Sequence, residues 1–139
     1  MTRQQVLRQI TAILEANSLS WSETPSGGIY LRFSSAGVAI DLKEWGSQTL
    51  VAISSHVLVN VDGKTKQILK ELNALNVASN FGRWVYYEGP KAVSIEYDLL
   101  GDHLQEDELM TALAALARRA DYHDDLLQKK LGGVRAFEV

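Results

Sequence analysis

Three histidines, His56, His103 and His123, are the side chains best suited to bind a metal or to move a proton. His123 stands inside an acidic run at 121–125. A zinc site needs several ligands that converge on one point. On a helix, however, His123 and its neighbour Asp124 point about 100° apart. The sequence therefore predicts a solvated acidic patch at this position and no metal site.

Nucleophilic catalysis and phosphate binding have no recognisable motif in this chain. None of the serines stands in the G-x-S-x-G arrangement of a nucleophile elbow. Ser55 and His56 are neighbours on a predicted strand, so their side chains face opposite sides of the sheet. The glycine pairs at 27–28 and 132–133 precede a strand and close a helix, neither of which is the setting of a phosphate loop. The sequence predicts no catalytic residue, no cofactor and no enzyme.

Several aromatic side chains lie in or beside the predicted strands, and they suggest a binding surface rather than a catalytic site. Trp84 and Tyr86 share one face of a strand, while Val85 and Tyr87 share the other. If Trp84 and Tyr86 face away from the helices, they form an apolar surface for a peptide or a second subunit. The other interpretation is that they complete the core, and the pattern leaves both open.

The composition of the chain excludes several classes of protein. The 139 residues include no cysteine, which excludes disulfides and thiolate metal sites, and they are expected to form one domain over 1–139. Fourteen basic and seventeen acidic residues give a net charge of −3, without the basic face that nucleic acid requires. No apolar run reaches the roughly 18 residues of a membrane span, and the polar first residues do not resemble a secretory signal. We expect a soluble, cytoplasmic protein.

Hydrophobic periodicity predicts the elements that position these side chains. Apolar residues at spacings of three and four predict an N-terminal helix that contains Val6, Ile10 and Leu14 and ends near Asn17. Period-two alternation predicts strands, and longer helical stripes predict two further helices. The predicted segments are strands at 29–34, 38–43 and 49–61, a helix at 64–77, strands at 81–88 and 92–99, and a helix at 105–131. The resulting α+β fold, in the order α-β-β-β-α-β-β-α, has a five-stranded antiparallel sheet with helices on one face.

Several short motifs in this order resemble a known family. They are Leu72-Asn73, Phe81-Gly82-Arg83, Tyr97-Asp98-Leu99, Leu104, Ala120-Asp121, Leu126-Leu127 and Gly132-Gly133. Their order and spacing resemble the YbjN-domain family of bacterial sensory transduction regulators, with a type III secretion chaperone-like fold. The similarity is clearest over 64–133. It implies a compact, non-enzymatic domain that is often dimeric, and secretion chaperones of similar fold bind extended segments of client proteins.

The leading hypothesis is a non-enzymatic, chaperone-like or regulatory protein-binding domain that forms a homodimer and binds a protein client. Its surface is expected on the open sheet face or on an exposed strip of the last helix, with Trp84, Tyr86, Leu116 and Leu127 as binding residues. Replacing Trp84 with Ala should then weaken binding and leave the fold intact, whereas unfolding would assign Trp84 to the core. A small-molecule sensor, with its ligand between sheet and helices, is the alternative hypothesis, and an enzyme is the third.

Overall fold

The computed structural model describes residues 1–138 and shows three α-helices around one antiparallel sheet. The elements are α1 (Arg3–Ala16), β1 (Ser22–Glu23), β2 (Ile29–Phe33), β3 (Ala36–Trp45), β4 (Gln48–Val59), α2 (Thr65–Ala78), β5 (Arg83–Tyr87), β6 (Ala92–Leu100), α3 (Glu106–Leu131), β7 (Val134–Arg135) and a 3₁₀ turn (Ala136–Glu138). The predicted α+β class and the order of the helices and longer strands are confirmed.

The sheet has seven strands rather than the predicted five. Six strands lie in the order β1-β2-β3-β4-β6-β5, and β7 pairs with the end of β4 through Leu58 and Val59. The two additional strands, β1 and β7, contain two residues each. A two-residue strand is too short to show a period-two pattern, so periodicity does not detect it.

The helices begin and end where the sequence supplies the appropriate caps. Thr2 accepts a hydrogen bond from the Gln5 backbone N–H, and the Gln5 side chain accepts one from the Thr2 N–H, which forms a capping box for α1. Acidic residues fill the first turn of α3 and lysines fill its last turn, so both ends match the helix dipole. Gly132 ends α3 with a φ of +74°, a conformation in which glycine has no steric penalty.

One face of the sheet forms the core against α1 and α3. Alternate residues along β2, β3 and most of β4 are buried, and residues 92–95 of β6 are buried in succession. α3 packs on β3, β4 and β6, and α1 packs on β3. The helix side of the core includes Val6, Ile10, Leu14, Leu109, Leu113 and Leu116, and the sheet side includes Leu31, Val38, Ile40, Val51, Ile53 and Ile95. No helix in the part of the chain that the structure describes is long and apolar enough to span a membrane.

α2 lies at the edge of the sheet beside β5 and is buried at only two residues, Ile68 and Leu72. The Asn76 side chain connects it to the outer edge of β5. Its Oδ1 accepts the Trp84 N–H at 2.6 Å, and its Nδ2 donates to the Trp84 carbonyl at 3.1 Å. This pair of hydrogen bonds occupies backbone groups that an edge strand otherwise exposes.

The other face of the sheet carries a polar cluster. Arg83 on β5 pairs with Glu96 at 3.5 Å and with Asp98 at 3.2 Å on β6. The hydroxyl of Tyr87 donates to Glu96, and this hydrogen bond, together with burial, raises the pKa of Tyr87 above its usual range. Cross-strand pairs of this kind stabilise the open face without covering it.

Candidate functional site

The structure places three of the four predicted binding residues inside the molecule. Trp84 is 4% exposed, Leu116 is fully buried, and Leu127 is 3% exposed. Tyr86 is partly buried and packs against the same core. The interpretation that Trp84 and Tyr86 face away from the helices is therefore wrong. Trp84 faces α3, where its ring meets that of His123 edge to face at 5.4 Å between centroids, so its replacement removes core packing.

The stretch between Leu116 and Leu127 nevertheless has an exposed side. The two leucines belong to the inner stripe of α3, while Arg118, Tyr122 and Leu126 lie on its outer side and are exposed. A helix of this kind buries one stripe and leaves the opposite face to solvent. The predicted exposed strip of the last helix is present, although the named leucines are not part of it.

A surface depression runs beside this outer side, and we call it the α3 groove. It consists of two adjoining hollows of about 620 Å³ and about 390 Å³. Phe81 and Thr111 line both hollows, so the two are continuous at these side chains. From Asp107 in the second hollow to His123 in the first, the groove follows α3 for about 24 Å, since the helix rises 1.5 Å per residue.

The first hollow combines aromatic walls with a floor of small residues. Phe81 is 41% exposed and Tyr122 is 68% exposed on its two sides. Ala114 and Ala115 lie between them on α3, and their side chains are too short to fill the groove. Exposed apolar side chains that frame a concave surface are typical of contact sites for other molecules.

Charge divides the groove into two ends. Arg118 and Arg119 line the first hollow, whereas Asp107 and Glu108 line the second beside Tyr97. Glu108 is also engaged in the cap of α3, because it accepts the Gln105 N–H at 3.1 Å. The groove is therefore basic at one end, acidic at the other and apolar between them.

The turn between α2 and β5 holds Phe81 at the surface. Ser79 Oγ donates to the carbonyl of Phe81 at 3.0 Å and to that of Gly82 at 3.3 Å. Gly82 has a φ of +87°, and a Cβ atom there would lie 3.1 Å from Ile95 and 3.3 Å from Leu116. Glycine at this position lets the turn approach the core closely, which leaves the Phe81 ring outside, against Tyr97 at 5.9 Å between centroids.

His123 connects the groove to the core. Its ring meets Trp84 on the inner side and Tyr122, at 4.9 Å between centroids, on the outer side. Burial lowers the pKa of His123, and the nearby positive charges of Arg119 and Lys130 lower it further. A neutral imidazole between two aromatic rings acts as a packing group at neutral pH.

The other candidate side chains lie apart. His56 is exposed on the open face of β4, and His103 is exposed in the loop before α3. Among the side chains of residues 1–137, no three His, Cys, Asp or Glu groups come together closely enough to hold a metal ion. The acidic run is not wholly solvated as predicted: Asp124 is 7% exposed. Ser35 in the β2–β3 turn donates to Asp124 at 3.2 Å and also to Asp121.

Comparison with known proteins identifies the family to which this chain belongs. A family model matches residues 1–139, and the chain belongs to that family, TY-Chap1, the type III secretion (YopN, CesT) and YbjN peptide-binding chaperones. A search of curated protein sequences finds no match.

Several solved structures share the fold. The ExsC–ExsE complex matches with a TM-score of 0.66 and 21% identity, over 89% of this chain and 94% of the matched chain. The HopA1–SchA chaperone–effector complex matches with a TM-score of 0.65 and 8% identity, over 90% and 99%. YbjN from E. coli matches with a TM-score of 0.59 and 13% identity, over 90% and 93%. The predicted resemblance to YbjN and to secretion chaperones is confirmed.

Proposed function

We propose that this protein is a non-enzymatic chaperone that holds an extended segment of a client protein in the α3 groove. The observation that carries the proposal is the groove itself, an open trough with apolar walls along α3. At about 3.3 Å per residue, its length of about 24 Å accommodates about seven residues of extended chain. Membership of a peptide-binding family supports this function.

Neighbouring structures also support a protein client. The HopA1–SchA structure is a chaperone–effector complex, and its fold matches nearly the whole of this chain. A groove that is open at the surface receives a chain segment without opening the core, which here is filled by buried side chains of the sheet and the helices. Binding of this kind needs little rearrangement of the chaperone. We also propose that the protein works in the cytoplasm, a reducing compartment that the absence of cysteine suits.

We further propose that the protein forms a homodimer through the outer side of α2. Leu69 is 51% exposed and Val77 is 81% exposed, and they lie eight residues apart, on one stripe with Asn73. A stripe of this kind is typical of helices that pack against a second copy. The groove lies along a different helix, α3.

The test is selection of random seven-residue peptides displayed on phage, followed by affinity measurement with labelled peptides. We expect the protein to enrich a family of peptides, and Ala114→Trp to weaken their binding by at least about tenfold because the larger, uncharged side chain fills the first hollow. Ala12→Trp on α1 is the matched control, since Ala12 is exposed in a different depression. No enrichment, or equal binding to both variants, would contradict the proposal.

The alternative function, sensing of a small molecule held between sheet and helices, has less support. In the described residues that space is occupied by buried apolar side chains from both layers. The hollows of the α3 groove lie on the outer side of the helix instead. The alternative stays a prediction, for which stabilisation by a metabolite in a thermal-shift experiment is the measurement.

A further inference from the structure

The two arginines of the α3 groove have no acidic partner within residues 1–138. The side-chain ion pairs of this part of the chain involve Arg83, Lys129, Lys130 and Arg135, but neither Arg118 nor Arg119. The first hollow is lined by no Asp or Glu side chain. Arg118 is exposed at its edge, and Arg119 is partly buried beside His123.

The helix itself offers these arginines almost no acidic neighbour. The residues one turn away on α3 are Ala114 and Ala115 before them, and Tyr122 and His123 after them. Asp121 is the one carboxylate within a turn, and it accepts a hydrogen bond from Ser35 in the β2–β3 turn. Since charged pairs on a helix form between residues three or four apart, the two guanidinium groups remain available to an external anion.

The surroundings favour a carboxylate next to an apolar group. Guanidinium groups pair with carboxylates through two parallel hydrogen bonds, and partial burial strengthens such pairs. Phe81 and Tyr122 are both exposed and line the same hollow. The positive charge felt at this site also contributes to the lowered pKa of His123.

We infer that the first hollow of the α3 groove binds an acidic side chain of the client, with Arg118 and Arg119 pairing its carboxylate while Phe81 and Tyr122 pack against an adjacent apolar side chain. This inference rests on the proposed function and names the chemistry of its client. The client segment is therefore acidic and apolar at this end.

The far end of the groove argues against a polyanion as the ligand. Asp107 and Glu108 line the second hollow and repel a continuous run of negative charge such as a nucleic acid backbone. The whole chain has a net charge of −3, which adds to that repulsion at long range. An isolated carboxylate, flanked by apolar or basic residues, fits both ends.

The experiment compares the peptides that different variants select from the same random phage library. We expect the wild-type protein to enrich Asp and Glu beside Phe, Leu or Tyr. Replacing the acidic residue of a selected peptide by Gln should weaken binding by about tenfold, and by Lys still more. The double variant R118Q/R119Q should lose the acidic preference while it still binds apolar peptides, and R118E/R119E should enrich Lys and Arg instead.

The matched control removes one positive charge outside the groove. Arg8→Gln alters an exposed arginine on α1, outside the groove, and should keep the acidic preference of the wild type. If peptides bind and their binding is lost in Ala114→Trp, but they show no preference for acidic residues, this inference is overturned and the proposed function stands. If the wild type enriches no peptide of any composition, both the inference and the proposed function are wrong.

Discussion

The two helices beside the C-terminal half of the sheet differ in how much of each is held by the core. α3 buries nine of its 26 residues, whereas α2 buries two of its 14 residues and leaves Leu69 and Val77 exposed. α2 is held to its neighbours by Ile68 and Leu72, by the hydrogen bonds of Asn76 and by an ion pair from Glu71 to Lys130 at 3.3 Å.

We propose different tasks for the two helices because of this difference. Because α3 is fixed along its length by packing, side chains on its outer side keep constant spacings, and a groove lined by them exists before any ligand arrives. α2 exposes an apolar stripe on a helix that the monomer covers on one side only. These observations support the proposed client binding on α3 and the proposed self-association on α2.

The difference in packing between α2 and α3 is tested most directly by replacing one leucine on each helix with alanine. Leu116→Ala should lower the free energy of unfolding by about 2–5 kcal/mol, because Leu116 is fully buried and its loss leaves a cavity. Leu69→Ala should change it by less than about 0.5 kcal/mol, because half of that side chain is already exposed. Urea denaturation of both variants measures the difference. Similar losses in the two variants would show that α2 is as firmly packed as α3.

The second prediction tests whether the protein associates with itself through α2. Leu69→Lys together with Val77→Lys should raise the dimer dissociation constant by at least about tenfold, since each charge would lose its water at the interface. Gln67→Lys adds the same charge to the same helix, off the apolar stripe, and should leave association unchanged. Sedimentation equilibrium gives the constants. A wild-type protein that is monomeric at all concentrations would remove the dimer from the proposal.

The smallest predicted effect concerns the pH dependence of stability at His123. Burial, with the charges of Arg119 and Lys130, lowers its pKa in the folded state, so below the usual value of 6.5 the unfolded chain binds more protons than the folded one. Stability should therefore fall as the pH drops from neutral through 6.5. The loss should be small because the ring is partly exposed. Thermal unfolding across this range should show a flatter profile for His123→Gln, and an unchanged profile would contradict the prediction.

Much of the fold follows from periodicity. Stripes at three- and four-residue spacing mark the helices, and alternation marks strands β2–β6, because each element must bury one side. Alternation along 83–87 also shows that Trp84 and Tyr86 share a face. Alternation does not show which of the two faces packs against the helices, since Val85 and Tyr87 on the other face are apolar too. The side on which the helices pack is decided by the whole sheet, and here that side receives Trp84.

The groove could be predicted only in part. Arg118 and Tyr122 are identifiable from sequence as residues outside the inner stripe of α3, so an exposed strip on the last helix was expected. Phe81 was expected in a strand, yet it lies in the turn before β5 and forms the opposite wall. Its position depends on the close approach of Gly82 to Ile95 and Leu116, residues distant from one another in sequence.

By itself, then, the sequence determined the class of fold, the order of its long elements and the resemblance to YbjN and secretion chaperones, because each depends on patterns within short stretches of chain. Tertiary structure alone decided that Trp84 belongs to the core, that Asp124 is buried against Ser35, and that Phe81 and α3 enclose one groove. These facts depend on which surfaces meet when the elements pack. A hydrophobic pattern shows which side of an element must be buried, but it does not show which other element covers that side.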